Sequence, residues 1–297
     1  MNRYFAFIVV LLIISCKETK NVQSQSHQNK HQNHFAFISS IEIPSKLDFC
    51  GERIPLEIPE VRERVEREFY LLMQQPGQII LYMKRAGRYF PLFERILKEE
   101  KVPDDLKYIS VAESALYMSR SAKGAVGLWQ FMEATAKSMG LIVDEFVDER
   151  RNPEKSTYAA VKYLRNGKDS HKSWTLAAAG YNMGHSGVAE NKEFQGVKDY
   201  FELFLNEETS RYIFRIVVIK EILSNPEKYG FTLKPEQLYK PDNVKIIKVS
   251  TEILNLAEWA KSQGTSYKDV KLLNPWILKR NLPAPKKGTT YEIAVPQ

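Results

Sequence analysis

The sequence predicts a mainly α-helical protein that ends in a small α+β unit of order βααβ. Apolar residues recur at helical spacing from Glu60 to Leu223, strand-like alternation is nearly absent before Val244, and residues 244–297 read strand, helix, helix, strand. With 297 residues, 43% hydrophobic and 27% charged, the chain can bury the cores of one to three domains. Its 43 Lys and Arg against 36 Asp and Glu give a formal charge of +7, which favours an anionic partner. The basic residues are scattered and accompany no helix-turn-helix, zinc-finger or RNP pattern, so the expected partners include no nucleic acid.

The N-terminal residues set the expected compartment. Arg3 precedes an apolar run from Tyr4 to Ile14 that is shorter than the roughly 20 residues needed to span a bilayer, so residues 1–15 read as a signal peptide. Ile13-Ile14-Ser15-Cys16 resembles a bacterial lipobox, which implies that Cys16 is the first mature residue and carries the lipid anchor to a membrane. Residues 16–40, rich in Gln, Asn, Ser, Lys and His, bury too little apolar surface to fold and read as a flexible tether. His27, His31 and His34 lie in it without Asp, Glu or Cys to complete a ligand set, so no metal is expected. Cys50 is the one further cysteine, which leaves stability to packing rather than to disulfides.

Residues 41–94 read as an N-terminal helical extension. Val61, Val65, Phe69, Leu72 and Met73 lie on one face of a helix that begins near Pro59 and stops before Pro76-Gly77. Further helices are expected over 79–86, 89–100 and 106–116, with Gly87 and Pro103 as breaks. Asn152-Pro153 predicts an N-cap and a first helical residue for a helix through Ala159, Ala160, Tyr163 and Leu164, and 210–223 is again helical. Pro235 and Pro241 bracket an expected linker. Beyond it come a strand over 245–249, helices over 253–263 and 267–273, and a strand over 291–295.

One stretch concentrates chemistry. Glu113-Ser114-Ala115-Leu116 closes an apolar helix, and Ser121-Ala122-Lys123-Gly124-Ala125-Val126-Gly127-Leu128-Trp129-Gln130-Phe131-Met132 follows as a small-residue loop that lets a bulky ligand approach the backbone. A Glu desolvated beside such a loop has its pKa raised, as a general acid at neutral pH requires. Glu133, Asp144, Glu145 and Asp148 are the nearby carboxylates, and Glu133 is expected on the same helix as Gln130. His171 and His185 lie near Ser173 and Ser186, but without a Gly-x-Ser-x-Gly context they read as surface or loop residues.

These two segments, with Ala178-Ala179-Gly180-Tyr181-Asn182-Met183-Gly184 and Glu208-Thr209-Ser210-Arg211-Tyr212, resemble the soluble-lytic-transglycosylase family in four ordered elements. The stretch Asp148-Glu149-Arg150-Arg151-Asn152-Pro153 narrows the resemblance to a membrane-bound subgroup. The resemblance implies a lysozyme-like domain over 95–234 that cuts the glycan strands of peptidoglycan, with Glu113 as catalytic acid and base. Ser121, Gln130, Met132, Tyr181, Asn182 and Glu208 match its substrate-binding positions, Tyr181 bringing its hydroxyl close to the catalytic carboxylate. It also implies no cofactor. Trp129 stands where many members carry Met and is expected to widen an apolar wall, and Gly180 replaces a frequent Ala and is expected to free the turn before Tyr181.

Residues 244–297 resemble a LysM module through Thr265, Tyr267, Leu272, Asn274 and Pro275, although Ser250-Thr251-Glu252 departs from the usual entry of its first strand. This implies carbohydrate binding by the C-terminal unit. Lys17 after Cys16, where Asp commonly retains lipoproteins at an inner membrane, favours the periplasmic face of an outer membrane. Two other readings stay open on sequence: a goose-type-lysozyme-like hydrolase and a non-catalytic glycan-binding lipoprotein.

Overall fold

The computed structural model describes residues 42–297, so the expected signal segment, Cys16 and the tether lie outside the described residues. Among the described residues the first elements are not helical. Cys50 (φ 54°) and Gly51 (φ 78°) form a left-handed turn that pairs β1 (Asp48–Phe49) with β2 (Glu52–Arg53), and Phe49 and Ile54 seal it against the core.

Two long helices follow, α1 (Pro59–Met73) and α2 (Pro76–Glu99), with Val61, Val65, Phe69 and Met73 on the buried face of α1. The expected break at Gly87 does not occur, and α2 runs through both Gly87 and Pro91. Gly87 is there for space: a Cβ would lie 2.8 Å from the Tyr239 carbonyl oxygen and 2.9 Å from the Leu238 Cβ. The expected linker lies across this point of α2. The Tyr239 N–H donates to the Lys84 carbonyl at 3.0 Å, Lys84 Nζ donates to the Gln237 carbonyl at 2.6 Å, and Lys84 and Arg88 both sit over the Tyr239 ring.

Next along the chain come α3 (Lys107–Ser114), α4 (Glu133–Ser138), α5 (Pro153–His171), α6 (Trp174–Met183), α7 (His185–Gln195) and α8 (Glu207–Ser224). Asn152 caps α5 by accepting from the N–H groups of Glu154 and Lys155. At the centre, α6 is buried without interruption from Thr175 to Gly180, and α8 buries Tyr212, Ile213, Phe214 and the run Ile216–Ile219. Helices apolar on most sides must be enclosed, and α8 packs against α1, α3 and α6.

Glu52 ties the N-terminal hairpin to α6. Its carboxylate accepts from the Trp174 N–H (2.6 Å), the Thr175 N–H (2.9 Å) and the hydroxyls of Ser173 (2.7 Å) and Thr175 (2.6 Å). Burial alone would raise its pKa, but these bonds at a helix N-terminus hold it down to about 2. Glu52→Gln is therefore expected to cost about 1–2 kcal/mol at neutral pH. A lowered carboxylate pKa contributes stability above its ordinary value of 4.5 that is lost as pH falls through about 2. The difference in thermal melting between wild type and variant should close over that window.

The C-terminal unit comprises β3 (Val244–Val249), α9 (Leu256–Ser262), α10 (Tyr267–Leu273) and β4 (Tyr291–Pro296), with β3 and β4 antiparallel from Val244↔Pro296 to Val249↔Tyr291. Buried Asn274 joins α10 to β4: its amide donates to the Val270 and Ala294 carbonyls and accepts from the Ala294 N–H. This unit shares its core with the helical part. Val147 is buried among Val249, Ile253, Trp276, Ile277 and Ile293, while the Asp148 N–H donates to the Trp276 carbonyl at 2.9 Å and the Leu278 N–H to the Phe146 carbonyl at 2.8 Å.

Candidate active site

The site is built where α3 stops. Ala115 (φ 56°) and Leu116 (φ 53°) turn the chain left-handed, which leaves Glu113 in the last helical turn. One turn apart on this helix, Ser110 and Ser114 both donate to the Leu128 carbonyl, at 2.9 and 2.7 Å, and so fasten α3 to the glycine loop. Gly127 (φ 91°) passes so close to residue 150 that a Cβ would lie 2.0 Å from the Arg150 carbonyl oxygen. Gln130 also adopts a positive φ (50°) and lies in the loop, three residues before α4, so it does not share a helix with Glu133 as expected. Its amide nitrogen donates to the Gly127 carbonyl (2.7 Å) and to Ser119 Oγ (3.2 Å), a use that stabilises the loop itself.

Glu113 lies where two lobes of a cleft meet. A lobe of about 520 Å³ has the glycine loop on one side, with Ser121, Gln130 and Met132, and Tyr163, Tyr181 and Asn182 on the other. The second lobe, about 510 Å³, is walled by α2 and the turn before it. A smaller space of about 210 Å³ links Glu113 to Asn182, Glu208, Tyr212 and Arg215. Met132 is 46% exposed and offers an apolar rim, whereas Ser121 Oγ accepts from the Ala125 N–H at 3.0 Å.

The Glu113 carboxyl is pushed up to about 7. Burial raises it most; a hydrogen bond donated by Tyr212 and the Arg215 charge pull it down, and Glu208 raises it slightly. The hydroxyl hydrogen-bonded to this carboxylate is that of Tyr212, while Tyr181 lines the same lobe close enough for the Glu113 charge to raise its own pKa. The Tyr181 hydroxyl donates to the Trp129 carbonyl at 2.7 Å, and its ring packs against Phe131 and Tyr163 at 5.8 and 5.6 Å. Asn182 donates to Glu208 at 3.1 Å and accepts from the Thr209 hydroxyl at 2.7 Å, which joins the end of α6 to the start of α8. Reading the sequence did not single out Tyr212, Arg215 or Tyr163; Tyr212 closes the Glu-Thr-x-x-Tyr element, and Arg215 follows it by one helical step.

The other carboxylates named from sequence are engaged elsewhere. Glu133 pairs with Lys137, Asp144 accepts from the N–H groups of Phe146 and Val147, Glu145 pairs with Lys279, and Asp148 pairs with Arg150. Among the described residues lining these three spaces, Glu208 is the other carboxylate beside Glu113.

Three further expectations change. Trp129 forms no cleft wall: it is fully buried, donates to the Thr157 hydroxyl at 2.9 Å and packs on Phe93 at 5.2 Å. His171 and His185 are not surface residues but stand 5.5 Å apart, ring to ring, with Tyr163 on the far side of His185 at 4.4 Å. Gly180 frees no turn, since it lies inside α6, and a Cβ there would lie 2.1 Å from His185 Nδ1; at Gly167 it would lie 2.2 Å from His185 Cε1. The two glycines make the slot for this imidazole. Gly180→Ala is expected to cost about 1–3 kcal/mol by overpacking, and adding His185→Ala should recover most of it in thermal melts.

A carboxylic acid held near neutral pKa in a two-lobed cleft of a helical domain is suited to giving and taking a proton at a bound ligand. Residues 91–204 match the transglycosylase SLT domain, and residues 245–297 match the soluble lytic transglycosylase C-terminal LysM-like domain. The chain therefore carries an SLT domain followed by a LysM-like domain. It is 26% identical over 306 residues to membrane-bound lytic murein transglycosylase D of Escherichia coli strain K12, over 97% of this chain and 65% of that protein. The protein of the same name from Escherichia coli O6:H1 matches to the same extent. The chain thus spans about two thirds of the length of these relatives.

Proposed function

We propose that this protein is a peptidoglycan lytic transglycosylase that cleaves the β-1,4 bond between N-acetylmuramic acid and N-acetylglucosamine and leaves a 1,6-anhydromuramoyl end. The observation that carries the reading is Glu113 at the junction of the two lobes, with its pKa raised by burial to about 7. In the first step the protonated carboxyl gives its proton to the leaving glycosidic oxygen. The resulting carboxylate takes the proton of the muramic C6 hydroxyl, whose oxygen attacks C1 and closes the anhydro ring. The substrate supplies its own nucleophile, so one carboxyl group serves as acid and then as base. Tyr212 holds that carboxyl in place through its hydrogen bond. Tyr163 and Tyr181 offer aromatic faces to a pyranose, while Ser121, Gln130, Met132, Asn182 and Glu208 line the path of the strand. No cofactor takes part in these steps.

In this reading Cys16 anchors the protein by lipid in the cell envelope, on the periplasmic face of an outer membrane, and the LysM-like domain holds a glycan strand near the cleft. Glu208 supports a second reading, hydrolysis, in which it would activate a water opposite Glu113. The products decide. Purified sacculi digested by the full chain should yield muropeptides with anhydromuramoyl ends by mass spectrometry; reducing ends in their place would establish the hydrolase instead.

A further inference from the structure

The two lobes of the cleft differ in charge. The lobe beside the glycine loop carries Lys123, Glu208 and the shared Glu113. The lobe walled by α2 carries two guanidinium groups, Arg85 from α2 and Arg215 from α8, and among its described lining residues the one carboxylate is Glu113. With two guanidinium groups against one carboxyl, the lobe is net positive whichever protonation state Glu113 takes.

Neither arginine is used up by the fold. Arg211, one helical turn before Arg215, is taken by Glu68 at 2.6 Å and Glu207 at 3.6 Å. Arg215 itself is exposed and, among the described residues, has no carboxylate within ion-pair distance. Arg85 donates to the Ala115 carbonyl at 3.0 Å and lies over the Tyr117 ring at 5.1 Å, which orients its guanidinium without neutralising it. Ala115 is the left-handed residue that ends α3, so the same turn that sets Glu113 also sets Arg85. Tyr117 is 59% exposed, and the amides of Gln75 and Gln78 complete the wall. Planar guanidinium forks match carboxylates, and side-chain amides match peptide groups.

We infer that this lobe is a carboxylate-binding subsite in which Arg85 and Arg215 take the acidic groups of the peptide stems borne by muramic acid residues. The inference rests on the transglycosylase reading for the identity of the strand. It assigns the N-terminal helical extension a part in recognition: α2 brings Arg85, and the turn before α2 brings Gln75. The favoured substrate class is glycan that still carries its stems, rather than glycan from which an amidase has removed them.

Binding tests this independently of turnover. The full chain carrying Glu113→Gln is titrated with soluble peptidoglycan oligosaccharides that bear peptide stems, and with the same oligosaccharides after amidase treatment. Stem-bearing oligosaccharides should bind about tenfold or more tightly than stripped ones, from charge-assisted hydrogen bonds to two arginines. Adding Arg85→Gln and Arg215→Gln together should bring the ratio of the two dissociation constants close to one. Comparing two ligands on the same variant removes any general loss of folding from the ratio. A ratio near one in the parent, no measurable binding of stem-bearing oligosaccharides, or a ratio that survives the double substitution would overturn the subsite. The transglycosylase reading stands or falls on a different readout, the anhydromuramoyl ends made by the protein with Glu113 intact.

Discussion

Replacing Glu113 by Gln is expected to lower kcat/KM on glycan strands by about three orders of magnitude or more, within the range for the loss of a general acid and base. Both proton transfers of the proposed cycle pass through this one carboxyl, and an amide can perform neither. Gln keeps the size of the side chain, so the Tyr212 hydroxyl retains an oxygen to which it can donate. Wild-type kcat/KM should be level below pH 7 and fall about tenfold per pH unit above it, because the free enzyme must hold the proton and burial sets the Glu113 pKa at about 7. Tyr212→Phe should shift this limb upward, because Tyr212 donates to the carboxylate and lowers its pKa. Measured pH profiles for the two proteins check the sign. Activity of Glu113→Gln within tenfold of wild type would remove the residue from the chemistry.

Much of the helical architecture is legible in the sequence because local signals and tertiary packing agree. Asn152 followed by Pro153 caps a helix in the structure as its side-chain chemistry requires, and the apolar face of α1 is the buried one. Where the two disagree, contacts distant in sequence prevail. Gly87 carries the signature of a break, yet α2 continues, because the glycine makes room for Leu238 and Tyr239. Trp129 occupies a loop position beside the site, but its carbonyl serves Tyr181 while its indole lies in the core. Gly180 and Gly167 gain meaning only once His185 stands between them, 5 residues from one and 18 from the other along the chain. The cleft itself follows the same division. Glu113 is visible from its helix end and the loop after it, whereas Tyr212, 99 residues away, meets its carboxylate only through the packing of α8 on α3.

The second large effect is expected at Arg150, which touches no cleft space yet governs the loop that lines one. Arg150 and Asp148 are both buried and form a bidentate pair, with Nε to Oδ1 at 2.8 Å and Nη2 to Oδ2 at 2.9 Å. The remaining guanidinium nitrogen donates to the carbonyls of Gly124 and Phe131, at 3.3 and 3.2 Å, on either side of the glycine turn. Arg150→Met would strand the Asp148 carboxylate in the interior and take a donor from both carbonyls, of which Phe131 keeps the Val126 N–H at 3.1 Å, a change that costs about 3–5 kcal/mol in comparable buried pairs. Arg151 Nε lies 3.7 Å from Asp148 Oδ2, close enough to soften the loss but too far for a hydrogen bond, so the lower end of the range is expected. Denaturant midpoints measure it. Replacing both partners, Arg150→Met with Asp148→Leu, should recover much of the stability, since no charge is then left unpaired. Activity should not return with it, because the Arg150 bridge between the carbonyls of Gly124 and Phe131 is still missing and the loop keeps its freedom. The Asp148 N–H is held by the Trp276 carbonyl, so this clasp also joins the C-terminal domain to the glycine loop. Substitutions at the Val147–Ile277 contact should therefore raise KM without touching a residue that meets the strand.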